Sequence, residues 1–588
     1  MRAATWLCDL LGWIKGTLVL AKNCFILVVK QFRLSLQKYP TIIMKYSLLI
    51  ALFFAVYLKA ECQRSRLTIS NDFKIAEKEY QDETISNAVY HNNFFYTATN
   101  SRFSAKKWLF TKLYDLTYSM TVSKYDKNMN KVKEYAIANG GKQYGPLIPQ
   151  LVLVNNKLAL AYFQPGEDKS SFSFYLALVD EDDLSLKNPQ KFCTIKQDNV
   201  GITKAENVIN GNLVSFAYSP DKTKTLVICL TNSNMMQTYV IDNELRILKQ
   251  SDLRTATSGF TVSSAALSND NTECIVLNSD DGTKIVINSA DKRKSEMKLN
   301  PAGNLKPNLT RAISSKDGKK IYISSCSSDA SSDDKNCNGF LMYQLDCATL
   351  QLSKPFAYSF TPEQIQTFCD NGAGAKHKKE YSMFPFSPAI TELDNGNIVI
   401  LGCPQQVSVS YHTSAPNMEN QSHEVAVTKM DVGPIMAFYP DKAGKNFDYA
   451  LIPRHISVSN SASSGSGSLQ IVQAPGITQA YSGFITVNLG NEIMVIYNDD
   501  PDNVNSNSKI VKADSPKDLV LAEGMFGADE KLQYKKQIGE DLPGRGAYYL
   551  GNLAPTSSNM IIFPIAKGGV GFNARKTFYT NWVFIDFQ

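Results

Sequence analysis

From about residue 90 onward the chain alternates between tight polar turns and short runs rich in apolar, β-branched or aromatic residues, and this alternation recurs eight times. The turns are Asn92-Asn93 before FFYTA, Asn155-Asn156 before KLALAYF, Pro220-Asp221 before KTKTLVICL and Asn269-Asp270-Asn271 before TECIVL. They continue with Asp317-Gly318 before KKIYIS, Asn395-Gly396 before NIVILG, Leu489-Gly490 before NEIMVIY and Ser557-Ser558 before NMIIF. Asn, Asp and Gly tolerate the positive φ that two-residue turns demand, so most of these sites predict β-hairpins. The Pro220 and Ser557 sites lack that chemistry and give a weaker signal.

A second turn follows in most units. TVSKYDKNMNKVKEY, FYLALVDEDDLSL, QTYVIDNELRILKQ and FLMYQLDCATLQLSK each carry an apolar strand that ends in Asp (Asp126, Asp180, Asp242, Asp346), then a polar turn and another alternating strand. Two hairpins in series make a four-stranded antiparallel sheet, the unit of a propeller blade. The tightest units, Asp221 to Asp270 and on to Asp317, are 49 and 47 residues long, close to the roughly 40–50 of a bare blade. Longer units carry insertions at Cys326–Cys337, 361–386 and the Ser/Gly-rich stretch 456–480. The expected fold is therefore all-β, a single propeller of seven or eight four-stranded antiparallel blades. A string of β-sandwiches is the competing plan, but no linkers separate the units between Gly145 and Phe360. Ring closure would pair a strand near Leu67–Phe73 with the C-terminal run TNWVFIDF. One short helix is expected at Thr361-Pro362-Glu363, with Thr as N-cap and Pro at the first helical position.

The N-terminus adds a different signal. Met44-Lys45-Tyr46-Ser47 leads into an uncharged run from Leu48 to Leu58, then Lys59-Ala60-Glu61. A basic start, a short apolar stretch and a small residue describe a secretory signal peptide, and the run is shorter than the roughly 20 residues of a spanning helix. The expected organisation is an over-extended leader at 1–43, a signal peptide at 44–60 and the propeller at 61–588. Residues 1–60 acting together as an uncleaved anchor are the rival reading. Membrane contact would then come only through this leader, and the location is periplasmic, cell-surface or secreted.

Charge narrows the partners. A net charge of +6 over 588 residues, without a Lys/Arg stripe interleaved with aromatics, gives no case for nucleic acid. Of eleven cysteines, Cys229 and Cys274 sit in apolar runs and read as small buried hydrophobes. Cys326 and Cys337 flank a Ser/Asp-rich loop, where a disulfide is a possible closure in an oxidising compartment.

Searches for catalytic motifs return little. Asp126-Lys127-Asn128-Met129-Asn130 opens like a calcium loop, but Lys131 and Ile137 stand where Gly and Glu are needed. Asp280-Asp281-Gly282 and Asp499-Asp500-Pro501-Asp502 concentrate carboxylates and read as turns, with structural calcium possible and no other cofactor expected. The five histidines (His91, His377, His412, His423, His455) show no i,i+4 pair, although His412 and His423 could meet across a loop. Lys567-Gly568-Gly569-Val570-Gly571 lacks the Lys-Ser/Thr of a phosphate loop. Ser279-Asp280-Asp281-Gly282-Thr283 comes near a sialidase Asp-box, but its Gly arrives early and no Trp follows. No catalytic, cofactor or metal residue is assigned.

Ser219-Pro220-Asp221 and Ser315-Lys316-Asp317-Gly318-Lys319-Lys320-Ile321 resemble the hairpins of TolB-like propellers of bacterial envelopes. With the signal peptide, the YDKNMNKVKE turn and Ile496 to Asn503, the chain from about 65 to 588 resembles exported, functionally uncharacterised β-propeller proteins of Bacteroidota. WD-repeat dipeptides and the double-Gly kelch motif are absent. The resemblance transfers no catalytic residues. It implies an exported, non-enzymatic binding scaffold with a protein or glycan partner, and the alternative is a polysaccharide- or peptide-processing hydrolase or lyase on the same scaffold.

Overall fold

The computed structural model describes residues from 65 to 587, leaving out intervening segments of which 197–212, 464–482 and 539–559 are the longest. Residues 67–586 form one compact unit, and its regular structure is almost wholly strand. Seven four-stranded antiparallel sheets follow one another along the chain, spanning 81–137, 147–196, 214–254, 261–298, 305–359, 389–452 and 484–537. In each, strand pairs with strand in sequence order, so each is a meander of two hairpins. A further sheet joins the ends of the chain: Tyr579–Phe587 pairs with Met560–Lys567, and Phe73 and Lys74 lie opposite Thr580 and Tyr579. Successive meanders completed by the N-terminal strand are the strand plan of a β-propeller. The expected closing pair is present.

Among the described residues, six apolar clusters hold the seven meanders, one at each junction between neighbours in the series. This explains the continuous apolar runs. Thr225–Asn232, Glu273–Ser279, Ile398–Gly402 and Ile493–Asp499 are second strands, packed on both faces, and bury consecutive residues. Fourth strands, such as Ile247–Arg254 and Lys294–Lys298, have one covered face and alternate exposed residues with buried or half-buried ones. The junction between the fifth and sixth sheets centres on Phe438, whose ring packs within 5.4 Å of Phe340 and Phe360 and 6.0 Å of Phe368.

Both turn types follow the expected chemistry. Asn92, Asn93, Asn155 and Asn156 all have positive φ, as a type I′ hairpin requires. At the Pro220 site the positive φ falls on Lys222, and a hydroxyl ties the turn together. Buried Ser219 donates to Asp221 Oδ1 at 2.5 Å and accepts from the Lys224 N–H at 3.0 Å. Ser268/Asp270 and Ser315/Asp317 repeat the arrangement, with Thr272 and Lys320 as the backbone donors. In the second turn type, Asp126, Asp180, Asp242 and Asp346 each accept two backbone N–H groups from the residues that follow. The fifth sheet departs from expectation: Leu352 makes only an isolated bridge to Leu345, and the fourth strand is Phe356–Ser359. The helix Pro362–Phe368 forms with its Thr361 cap, and Gln364 completes a capping box. The Ser557 turn lies outside the described residues.

Candidate binding site

The first strands of the third, fourth and fifth sheets, Val214–Tyr218, Thr261–Leu267 and Leu305–Ser314, each carry several half-buried residues. They lie side by side and are tied by side-chain bonds. The Ala312 N–H donates to Ser264 Oγ at 3.0 Å, Ser314 Oγ donates to Leu267 O at 2.8 Å, and Ser263 Oγ donates to Thr310 O at 3.2 Å. Arg311 reaches across them, donating to Ser263 O and, at 2.9 Å, to Ser387 Oγ. The small side chains at 217, 265, 266 and 312 leave a cavity of about 510 Å³, which Tyr218, Pro220, Ile313, Ser314 and Lys316 also line. Tyr218 is 43% exposed there, unusually open for an aromatic ring. The Lys316 amine pairs with Asp394, and the Lys316 backbone N–H donates to Glu392 Oε2 at 2.5 Å. The lining is thus apolar with a hydroxyl, a phenol and a neutralised cation, and it contains no carboxylate.

The two ends of the sheets differ. At the end carrying the first-to-second and third-to-fourth turns, no connection exceeds nine residues. Neighbouring turns there are bonded to each other: Asn92 Nδ2 to Glu181, Thr225 Oγ1 to Asn155, Asp221 N to Asn269, Asn269 Nδ2 to Asp317 O, and Asn395 N to Asn491. Among the described residues, the strand ends that border 360–388, 403–434, 453–483 and 500–519 lie at the opposite end. Three strands of the sixth sheet are prolonged there into a separate sheet of Gln405–Thr413, Glu424–Val432 and Ile456–Ser463.

Arg454 sits at the bend where the prolongation starts and is fully buried. Its guanidinium donates to Cys403 Sγ at 2.7 Å, to Gly433 O at 3.3 Å and to Asn498 O at 3.3 Å, and lies 5.9 Å from the Tyr497 ring. Beside it, Asp499 is fully buried: Oδ1 accepts from Asp500 N at 2.8 Å and Asn503 Nδ2 at 2.9 Å, while Oδ2 has no hydrogen-bond partner. Burial pushes this carboxyl up to about 7, and the Asn503 bond and Arg454 only partly oppose it. Asn503 also holds Val511 through both backbone groups, at 2.6 and 2.8 Å. The carboxylate run from Asp499 therefore works as a turn that docks the insertion. Burial lowers the His455 imidazole, with Asp431 partly opposing it.

The remaining sequence candidates are dispersed. His91 is buried against Glu181, 3.2 Å from Oε1, and Tyr96 donates to the same carboxylate at 3.0 Å. His377 lies in the Gly374–His377 strand and His412 opposite Val425, while His423, Asp280, Asp281 and 568–571 lie outside the described residues. Among the described residues no three His, Cys, Asp or Glu side chains converge as metal ligands. Cys326 and Cys337 are both buried free thiols of the same apolar cluster, and Cys337 Sγ donates to Gly339 O at 3.4 Å. Sequence reasoning missed Arg454, Tyr218 and the buried Lys249–Glu273 pair at 2.8 Å. None has a local signal, because each is defined by residues tens of positions away.

No protein-family model matches the chain, and no curated protein matches it. Solved structures similar to it include the WD40 domain of SCAP from fission yeast (8% identity, 89% of this chain and 98% of that one, TM-score 0.33). The β-propeller domain of the Trilobed protease from Pyrococcus furiosus is also similar (9% identity, 79% and 96%, TM-score 0.31). An uncharacterized protein from Listeria monocytogenes matches at 10% identity over 71% and 88%, with a TM-score of 0.31. Likenesses this distant assign no activity, and the architecture rests on the chain's own strand order.

Proposed function

We propose that this chain is an exported, non-enzymatic β-propeller of eight blades that binds a protein or glycan ligand in the cell envelope or extracellular space. The seven meanders and the sheet joining the two ends make the eight blades. The cavity among the first strands carries the reading. It is an open depression in which small apolar side chains lie beside Tyr218, Ser314 and Lys316, a mixed surface that could receive a ligand. Export rests on the Met44–Ala60 pattern. The locked end acts as scaffold, and the end with long connections offers variable surface.

The test is a panel of glycans and peptides offered to the full chain, with Ala265→Trp as a cavity-filling variant. Saturable binding by the wild type, weakened at least tenfold in a folded Ala265→Trp, is the expected result. Turnover of any panel member, or binding indifferent to the substitution, overturns the proposal.

A further inference from the structure

The apolar junction between the third and fourth sheets ends in a buried polar triad. Lys249, Ser251 and Leu253 share one face of the strand Ile247–Arg254. Glu273 and Ile275 share a face of Glu273–Ser279, as do Val286 and Asn288 of Gly282–Asn288. Leu253, Ile275 and Val286 belong to the apolar cluster of this junction, so the same faces bring Lys249, Glu273 and Asn288 together at its end. Glu273 and Asn288 stand opposite each other on their ladder and are fully buried, and the Lys249 side chain is 9% exposed. The Lys249 amine lies 2.8 Å from Glu273 Oε1 and donates to Asn288 O at 2.9 Å and to Asn271 O at 3.3 Å. Asn288 Nδ2 donates to the same Glu273 Oε1 at 2.9 Å and to Ser251 Oγ at 3.0 Å. An amine and a carboxamide nitrogen thus contact one carboxylate oxygen. Glu273 Oε2 and Asn288 Oδ1 are buried without hydrogen-bond partners. Both are acceptors, and one proton shared between them would satisfy both.

We infer that Lys249 and Asn288 become joined by an isopeptide bond, with Glu273 as the acid–base group, which ties the third and fourth sheets covalently. A proton first passes from the Lys249 ammonium to Glu273 along their 2.8 Å contact, leaving an amine with a free lone pair and a carboxylic acid. With that proton on Oε2, the acid can donate to Asn288 Oδ1 and polarise the carboxamide carbon. The amine turns from Asn288 O to Cγ of the same residue, and its lone pair forms the new C–N bond. The electron pair of the old Cγ–Nδ2 bond goes to the leaving nitrogen. Glu273 takes the proton shed by the attacking nitrogen and gives one to the leaving nitrogen, which departs as ammonia. An ion pair and a carboxamide thus become a secondary amide, a carboxylic acid and ammonia. No oxidant or cofactor takes part, and the reaction stands whether or not the chain is exported. The two sheets share no strand ladder. A bond between residues 39 apart in sequence adds a link that packing alone does not supply, and it withdraws freedom from the unfolded chain.

The full chain is purified, denatured, digested with trypsin and mapped by mass spectrometry. The peptides carrying Lys249 and Asn288 should emerge as one branched species, lighter by one ammonia than the two together and uncut after Lys249. Fragment ions should place the link at these two residues. Separate peptides of unaltered mass overturn the inference, as does loss of ammonia from Asn288 without a link to Lys249. Glu273→Gln keeps the size of the side chain and removes the acid–base group, so the folded variant should give at least about tenfold less linked species. Undiminished linkage in that variant overturns the role of Glu273 and the inference with it. If Glu273→Gln does not fold, the wild-type map decides alone.

Discussion

The side chain of Asn269 occupies the space that a β-carbon on Gly318 would need: such an atom would lie 2.4 Å from Asn269 Nδ2. Asn269 belongs to the fourth sheet's first turn and Gly318 to the fifth's. Asn269 also accepts from Asp221 N at 3.1 Å in the third sheet and donates to Asp317 O at 3.4 Å, so one amide connects three successive turns. Gly318 is needed twice over, for space and for its φ of +70°.

Gly318→Ala should therefore destabilise the protein by about 1–3 kcal/mol, combining backbone strain with the displaced amide. Adding Asn269→Gly should recover the steric part but not the strain. Denaturant midpoints of the two single variants and the double variant test this.

Phe438→Ala should cost about 3–5 kcal/mol, because the ring is fully buried and touches aromatic side chains from both packed sheets. Phe438→Leu should cost less. Thermal or denaturant unfolding checks both, and an effect under about 1 kcal/mol would contradict the packing described.

Asp499 should make stability fall as pH rises toward neutrality. Its carboxyl titrates near 7 when folded and near 3.9 when unfolded. Between these values the folded state holds the extra proton, so the penalty begins near pH 4 and is complete above about 7. Asp499→Asn keeps an acceptor for Asp500 N and should flatten this limb. Unfolding midpoints across the range, wild type against variant, measure it.

The turn aspartates should act oppositely at low pH. Hydrogen bonds from following residues hold Asp126, Asp180 and Asp346 below the usual carboxylate range, and the same bonds outweigh burial at Asp242. Their contribution is present above the unfolded value near 3.9 and is lost as pH falls through the folded values. Asp180→Ala combined with Asp346→Ala should lower stability at pH 7 and leave less further loss on acidification. An unchanged acid limb in the double variant would count against this.

Arg454→Met should be strongly destabilising. It removes a buried donor from Gly433 O and Asn498 O, and with it the positive charge that opposes the raised Asp499 carboxyl. A loss of about 3–5 kcal/mol is expected, and Arg454→Met with Asp499→Asn should recover part of it. Equilibrium unfolding of the variants gives the coupling.

The sequence by itself determined the local plan. Asn-Asn and Asp-Gly turns, Asp at strand ends and the Thr361 cap act within a few residues, through backbone geometry and bonds to the nearest N–H groups. Even the apolar middle strands were legible, because burial on both faces leaves an unbroken run. The closing pair of Phe73 and Thr580 was readable too, since an unmatched strand remained at each end. The tertiary structure alone decided what crosses between sheets. Three positive-φ leucines, Leu184, Leu245 and Leu350, are fixed by packing rather than preference. Arg454 is buried by residues 21 to 51 positions away. The cavity exists because small residues from three separate first strands come side by side. Contacts of that kind depend on which sheet faces come together, and no short stretch of sequence carries that information.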